Sequence, residues 1–69
     1  MSELDERLLD AHARDDRTAL VDLYTQAADA ENDVDAACFF LTHAFVFALE
    51  IGDARADDLR ARLQVYNRI

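Results

Sequence analysis

Lysine, proline and tryptophan are absent from this 69-residue chain, and glycine, cysteine and serine occur once each. Each gap excludes something. Without proline, and with Gly52 as the lone glycine, the turn signals of β-hairpins are missing. One glycine also cannot build a glycine-rich phosphate loop. Cys38 alone forms neither an intrachain disulfide nor a multi-cysteine zinc site. Ser2 lies at the terminus, a poor place for a hydrolase nucleophile. With no lysine, seven arginines face fifteen acids, for a net charge of −8. Nucleic-acid binding and anionic membrane surfaces both call for a basic stripe, so neither partner is expected.

What remains is helix-forming. Alanine, leucine and arginine dominate, and the aspartates suit helix starts. The expected fold class is all-α, one domain of four antiparallel helices over residues 3-14, 17-31, 34-51 and 54-67. Sixty-nine residues bury only about 60% of their unfolded surface, so such a domain needs regular helix packing or a partner. The start, MSELDERLLD, has no basic segment leading into an apolar run. A reducing cytoplasm is the compartment expected of a chain with a single thiol.

The punctuation is local. Ser2, with Asp5 three residues on, starts the first helix, whose apolar stripe is Leu4, Leu8, Leu9 and Ala11. Asp15 or Asp16 caps the second, striped by Leu20, Leu23, Tyr24, Ala27 and Ala28. Asn32 or Asp33 caps the third, and Gly52 ends it in a left-handed conformation. Asp53 caps the fourth, striped by Ala56, Leu59, Leu63 and Tyr66. Asp22, Asp29, Glu31, Asp33 and Asp35 have no basic residue among them in residues 18–35. They read as a solvated acidic surface or, alternatively, as a docking face or charge mimic for a basic partner.

The third helix is unlike the others. Residues 36–49 carry no charge except a possible imidazolium at His43, and about fourteen such residues are too few for a membrane span. Helical geometry gives them two faces. Val34, Ala37, Cys38, Leu41, Ala44, Phe45 and Ala48 form one; Phe39, Phe40, His43, Val46 and Phe47 form the other. Three neighbours with thin stripes do not cover both, so Phe39, Phe40, His43, Val46 and Phe47 are the candidate interaction surface. His43 would belong to that apolar surface, at a homodimer seam or partner groove. A structural histidine in the monomer core is the plainer alternative.

Chemistry is poorly supplied. Cys38 and His43, five residues apart, lie about 140° apart around a helix, and no cation neighbours Cys38 in sequence. His12 joins a site only through tertiary proximity. The alternating acids at 29, 31, 33 and 35 imitate a calcium loop, but Val34 and Phe40 stand where it needs glycine and glutamate. Thr42 suits a bond to a carbonyl of its own helix.

Residues 17–53, with Asn32-Asp33 as the turn and Ala37, Leu41 and Ala44 on the second helix, resemble a tetratricopeptide-type helical hairpin. Leu41 stands where that family prefers an aromatic, and its closing proline is missing. The resemblance implies a helical-repeat scaffold that binds proteins or itself, with the flanking helices as caps. The chain as a whole looks like a small bacterial helical protein. The expectation is therefore a protein-interaction or structural module, with no catalytic, cofactor-binding or metal residue. Its partner is another protein or a second copy. A small-ligand or metal-binding helical protein is the alternative.

Overall fold

The computed structural model describes residues 2–69. They form four helices: α1 (Glu3–Ala13), α2 (Arg17–Ala30), α3 (Val34–Ile51) and α4 (Arg55–Val65). There is no strand among the described residues, and the fold is all-α.

The caps of α1, α2 and α3 are those the sequence offers. Ser2 Oγ accepts from the Asp5 amide at 3.2 Å, Asp16 Oδ1 from Ala19 at 3.1 Å, and Asp33 Oδ2 from Ala36 at 3.0 Å. Each satisfies an amide that has no partner within its helix, worth about 1 kcal/mol. Gly52 takes φ 66° and lets the Asp53 amide reach the Ala48 carbonyl at 2.8 Å. Asp53 accepts from the Arg55 amide at 2.8 Å but is not the expected cap of α4: the helix starts at Arg55, and Ala54, which has no side-chain acceptor, stands at its N-cap. Two further helix ends close the same way around non-glycine residues. Asp15 (φ 52°) lets Asp16 reach Ala11, and Asn67 (φ 57°) lets Arg68 reach Leu63. That last closure ends α4 at Val65, two residues short of the expected boundary.

It also corrects one stripe. Tyr66 falls outside the helix and is 45% exposed, so Ala56, Leu59 and Leu63 alone face the core from α4. On α1, Leu9 lies 100° from Leu8 and is 59% exposed, while Leu4, Leu8 and Ala11 pack toward α2. Val21, outside the expected α2 stripe, is fully buried.

The close backbone approaches are between neighbours in sequence, α1 on α2, α2 on α3 and α3 on α4, while α2–α4 and α1–α3 meet through side chains. The bundle is flat, 31 × 28 × 11 Å between Cα atoms. Two full helix layers would need roughly 13 Å or more, from axes 8–10 Å apart and a Cα radius near 2.3 Å. α3 instead settles into the groove between α2 and α4. Its Cys38, Leu41, Ala44 and Ala48 are buried with Val21 and Ala28 of α2 and Ala56, Leu59 and Leu63 of α4. Small residues on that side permit the close approach, and each buried leucine contributes about 2 kcal/mol. A satellite cluster of Ala11, Leu20 and Leu23 holds α1 to α2, and Tyr24 and Phe47 pack against both clusters.

Arginines tie the ends and the underside. Arg17 at the start of α2 meets Glu50 at the end of α3 at 3.0 Å, and Arg68 beyond α4 meets Asp35 at the start of α3. Both pairs make the neighbouring helices antiparallel. Arg55 and Arg62 of α4 reach Asp22 and Asp29 of α2. Three acids of the segment 18–35 therefore do have basic partners. These lie 33 residues further on, where no local reading of the sequence finds them.

Candidate functional site

With its alanine side down in the groove, α3 turns Phe39, Thr42, His43, Val46 and Glu50 outward, at i, i+3, i+4, i+7 and i+11. Phe39 is 58% exposed and Val46 45%. His43 between them is half-buried. Its ring lies 4.5 Å from Phe39 and 5.1 Å from Tyr24, centroid to centroid. Nδ1–H of His43 donates to the Phe39 carbonyl at 3.0 Å, because a carbonyl oxygen can only accept. This fixes the ring and leaves Nε2 as its free nitrogen.

The five candidate surface residues thus divide. Phe39 and Val46 stand out into solvent and His43 bridges them. Phe40 and Phe47 are half-buried and pack against the core, beside Tyr24. The Tyr24 ring stacks on Phe47 at 5.9 Å and lies tilted to Phe40 at 6.2 Å. His12 of α1 completes the group: its Nε2 and the Tyr24 hydroxyl share a hydrogen bond of 2.9 Å, and its ring meets Phe47 edge-on at 6.1 Å. Burial pushes the Tyr24 phenol above its ordinary value, so it stays protonated at physiological pH. Both histidines of the chain therefore touch one tyrosine. Sequence spacing gives no sign of this, because His12 is 12 residues from Tyr24 and His43 is further still.

Two open grooves border His43. One, of about 460 Å³, is lined by Asp35, Cys38, Phe39, Thr42, His43 and Arg68. The other, of about 210 Å³, is lined by Thr42, His43, Val46, Phe47 and Glu50. Thr42 and His43 are shared, so they form the saddle between the two. The Thr42 hydroxyl is spent on the Cys38 carbonyl at 2.8 Å. Cys38 borders the first groove but is only 4% exposed. Among the described residues, no three His, Cys, Asp or Glu side chains gather as a metal-ligand group.

The surface ends in charge at both extremities, Asp35 with Arg68 and Glu50 with Arg17. Including those flanks, α3 is an 18-residue helix of mean hydropathy 1.7, long and apolar enough by length and composition to cross a membrane. Residues 36–49 alone are too few for that. A helix packed on two sides by its neighbours has the same profile.

The fold and surface together define a class no narrower than a small helical protein with an aromatic ridge on its third helix. No protein-family model, curated protein or solved structure matches the chain.

Proposed function

We propose that the chain is a non-catalytic helical module that works by contact with another protein, through the outer face of α3. The observation that carries this reading is the pair of exposed apolar side chains, Phe39 and Val46, on either side of a histidine whose ring is already fixed. Aromatic side chains held rigid before binding lose little entropy in a complex. The grooves beside His43 are open, a shape better suited to side chains from a protein surface than to enclosing a small molecule.

The tetratricopeptide-like reading is supported by the parallel course of α2 and α4. Their ion pairs, and that of Arg68 with Asp35, recur at a separation of 33 residues, near the roughly 34-residue period of such repeats. On this reading the protein has no cofactor, and the buried Cys38 fits a reducing cytoplasm.

The test is affinity capture with the tagged wild type and a Phe39→Glu, Val46→Glu variant. The wild type should retain a protein, or an untagged copy of itself, that the variant loses at unchanged helicity. Identical capture by both would refute the reading.

A further inference from the structure

α1 is attached differently from the other three helices. Ion pairs tie α2 to α3 (Arg17 with Glu50), α4 to α2 (Arg55 with Asp22, Arg62 with Asp29) and the end of α4 to α3 (Arg68 with Asp35). Among the described residues, none joins α1 to another helix, and its one side-chain hydrogen bond across to a neighbour is that of His12 with Tyr24. Ala11 is its only buried residue, while Leu4 and Leu8 are half-buried. Asp15, in the connection to α2, is held at φ 52°, a left-handed backbone that a residue with a Cβ adopts only under strain.

Charge works against this attachment. α1 carries Glu3, Asp5, Glu6 and Asp10 against Arg7, a charge of −3, and the rest of the chain holds the remaining −5 of the total of −8. The groove under α1 is nonetheless well made for a helix. It is lined by Leu20, Leu23, Tyr24 and Phe47, with the Tyr24 hydroxyl as a polar anchor. It receives Leu4, Leu8 and Ala11, apolar side chains at i, i+4 and i+7.

We propose that α1 is a displaceable cover over a second binding groove, whose outside ligand is a basic amphipathic helix of a partner protein. Such a helix repeats the i, i+4, i+7 spacing of α1 and carries lysine or arginine where α1 carries acids. The apolar side of the ligand is specified by α1 itself, the groove's resident occupant. Its polar side is specified by charge, because a body of −5 repels α1 and attracts a cationic replacement. The main cluster is built from α2, α3 and α4 alone, so it keeps its packing when α1 leaves. Binding has to open α1 first, and whatever loosens α1 therefore tightens the partner by the same factor. The groove is distinct from the outer face of α3, and this inference stands or falls without it.

The probe is a synthetic peptide of residues 2–14 bearing Glu3→Lys, Asp5→Lys, Glu6→Lys and Asp10→Lys, titrated into the full chain at low salt by fluorescence anisotropy. It should bind saturably and at least about tenfold more tightly than either the unsubstituted peptide or a scrambled peptide of its own composition. Hydrogen exchange on the complex should show the α1 amides losing protection while those of α3 and α4 keep theirs. His12→Ala in the chain removes the tie to Tyr24 and should tighten binding about two- to tenfold, the worth of one hydrogen bond. Leu8→Ala, also on α1, should act in the same direction, with a cooperative thermal melt as the check on folding. The Phe39→Glu, Val46→Glu variant should bind the peptide as the wild type does, which separates this groove from the α3 face. A peptide that binds while α1 stays protected, binds no better than its scrambled form, or binds neither α1 variant more tightly overturns the proposal.

Discussion

Phe47 and Phe39 sit two turns apart on α3, and glutamate at the two positions should have unequal consequences. Phe47 packs against both apolar clusters, stacked on Tyr24 and edge-on to His12. Emptying a fully buried phenylalanine site costs about 3–5 kcal/mol, so a half-buried one costs about 2 kcal/mol. A carboxylate left without a partner there adds about 1–3 kcal/mol. A chain of 69 residues has roughly 3–10 kcal/mol of stability in all. Phe47→Glu should therefore remove about 3–5 kcal/mol, about a third or more of that stability, and lower Tm by about 12 °C or more. Phe39 is 58% exposed, and its ring meets those of His43 and Phe40, at 4.5 and 5.6 Å between centroids. Its loss costs less than about 1 kcal/mol, which in a domain this small moves Tm by no more than about 8 °C. Thermal melts followed by circular dichroism measure both. Equal melting of the two variants, or a collapse in Phe39→Glu alone, would refute the division of the phenylalanines into core and surface.

Gly52→Ala meets nothing within 4 Å, so its cost is the left-handed backbone alone, about 1 kcal/mol, and Tm should fall by about 4–8 °C; an unchanged melt would show that the α3 end has relaxed. The Arg55 side chain and amide bonded to Asp53 hold its carboxyl down at about 2, below its unfolded value. Its contribution to stability is therefore complete above about pH 4 and disappears as pH falls through about 2. Asp53→Asn should flatten that part of the acid limb in pH-dependent denaturant melts. The ion pairs are exposed and individually weak, whereas the net charge of −8 repels itself, so moderate sodium chloride should raise Tm by screening. A falling Tm would mean that the pairs outweigh the repulsion.

Local chemistry made the helix boundaries readable. Ser2, Asp16, Asp33 and Gly52 act on amides and carbonyls within a few residues, so their roles follow from spacing alone. Leu9 and Tyr66 misled, because a stripe cannot reveal how many neighbours a helix has or where its last turn unwinds. The surface was only half readable. The apolarity of α3 is written in its residues, yet the choice of Phe40 and Phe47 for cover depends on Tyr24 arriving from α2. The same holds for Arg55, Arg62 and Arg68. No window of sequence shorter than the 33-residue separation contains both members of their pairs.

That the close backbone approaches all join neighbours in the chain bears on how the protein forms. Each closely packed pair of helices is joined by a connection of a few residues, so little chain entropy is lost before each pair is rewarded. Folding should fall in the microsecond to millisecond range of low-contact-order helical domains. The α2 and α3 hairpin, whose helices contribute most of the main cluster, is the natural nucleus, with α4 docking onto it. α1 is held by a cluster of three buried residues and the hydrogen bond from His12 to Tyr24. Its amides should exchange with solvent well ahead of global unfolding. When α1 opens, Phe47 loses the His12 side of its cover, and the aromatic surface of α3 widens without any change in α3 itself.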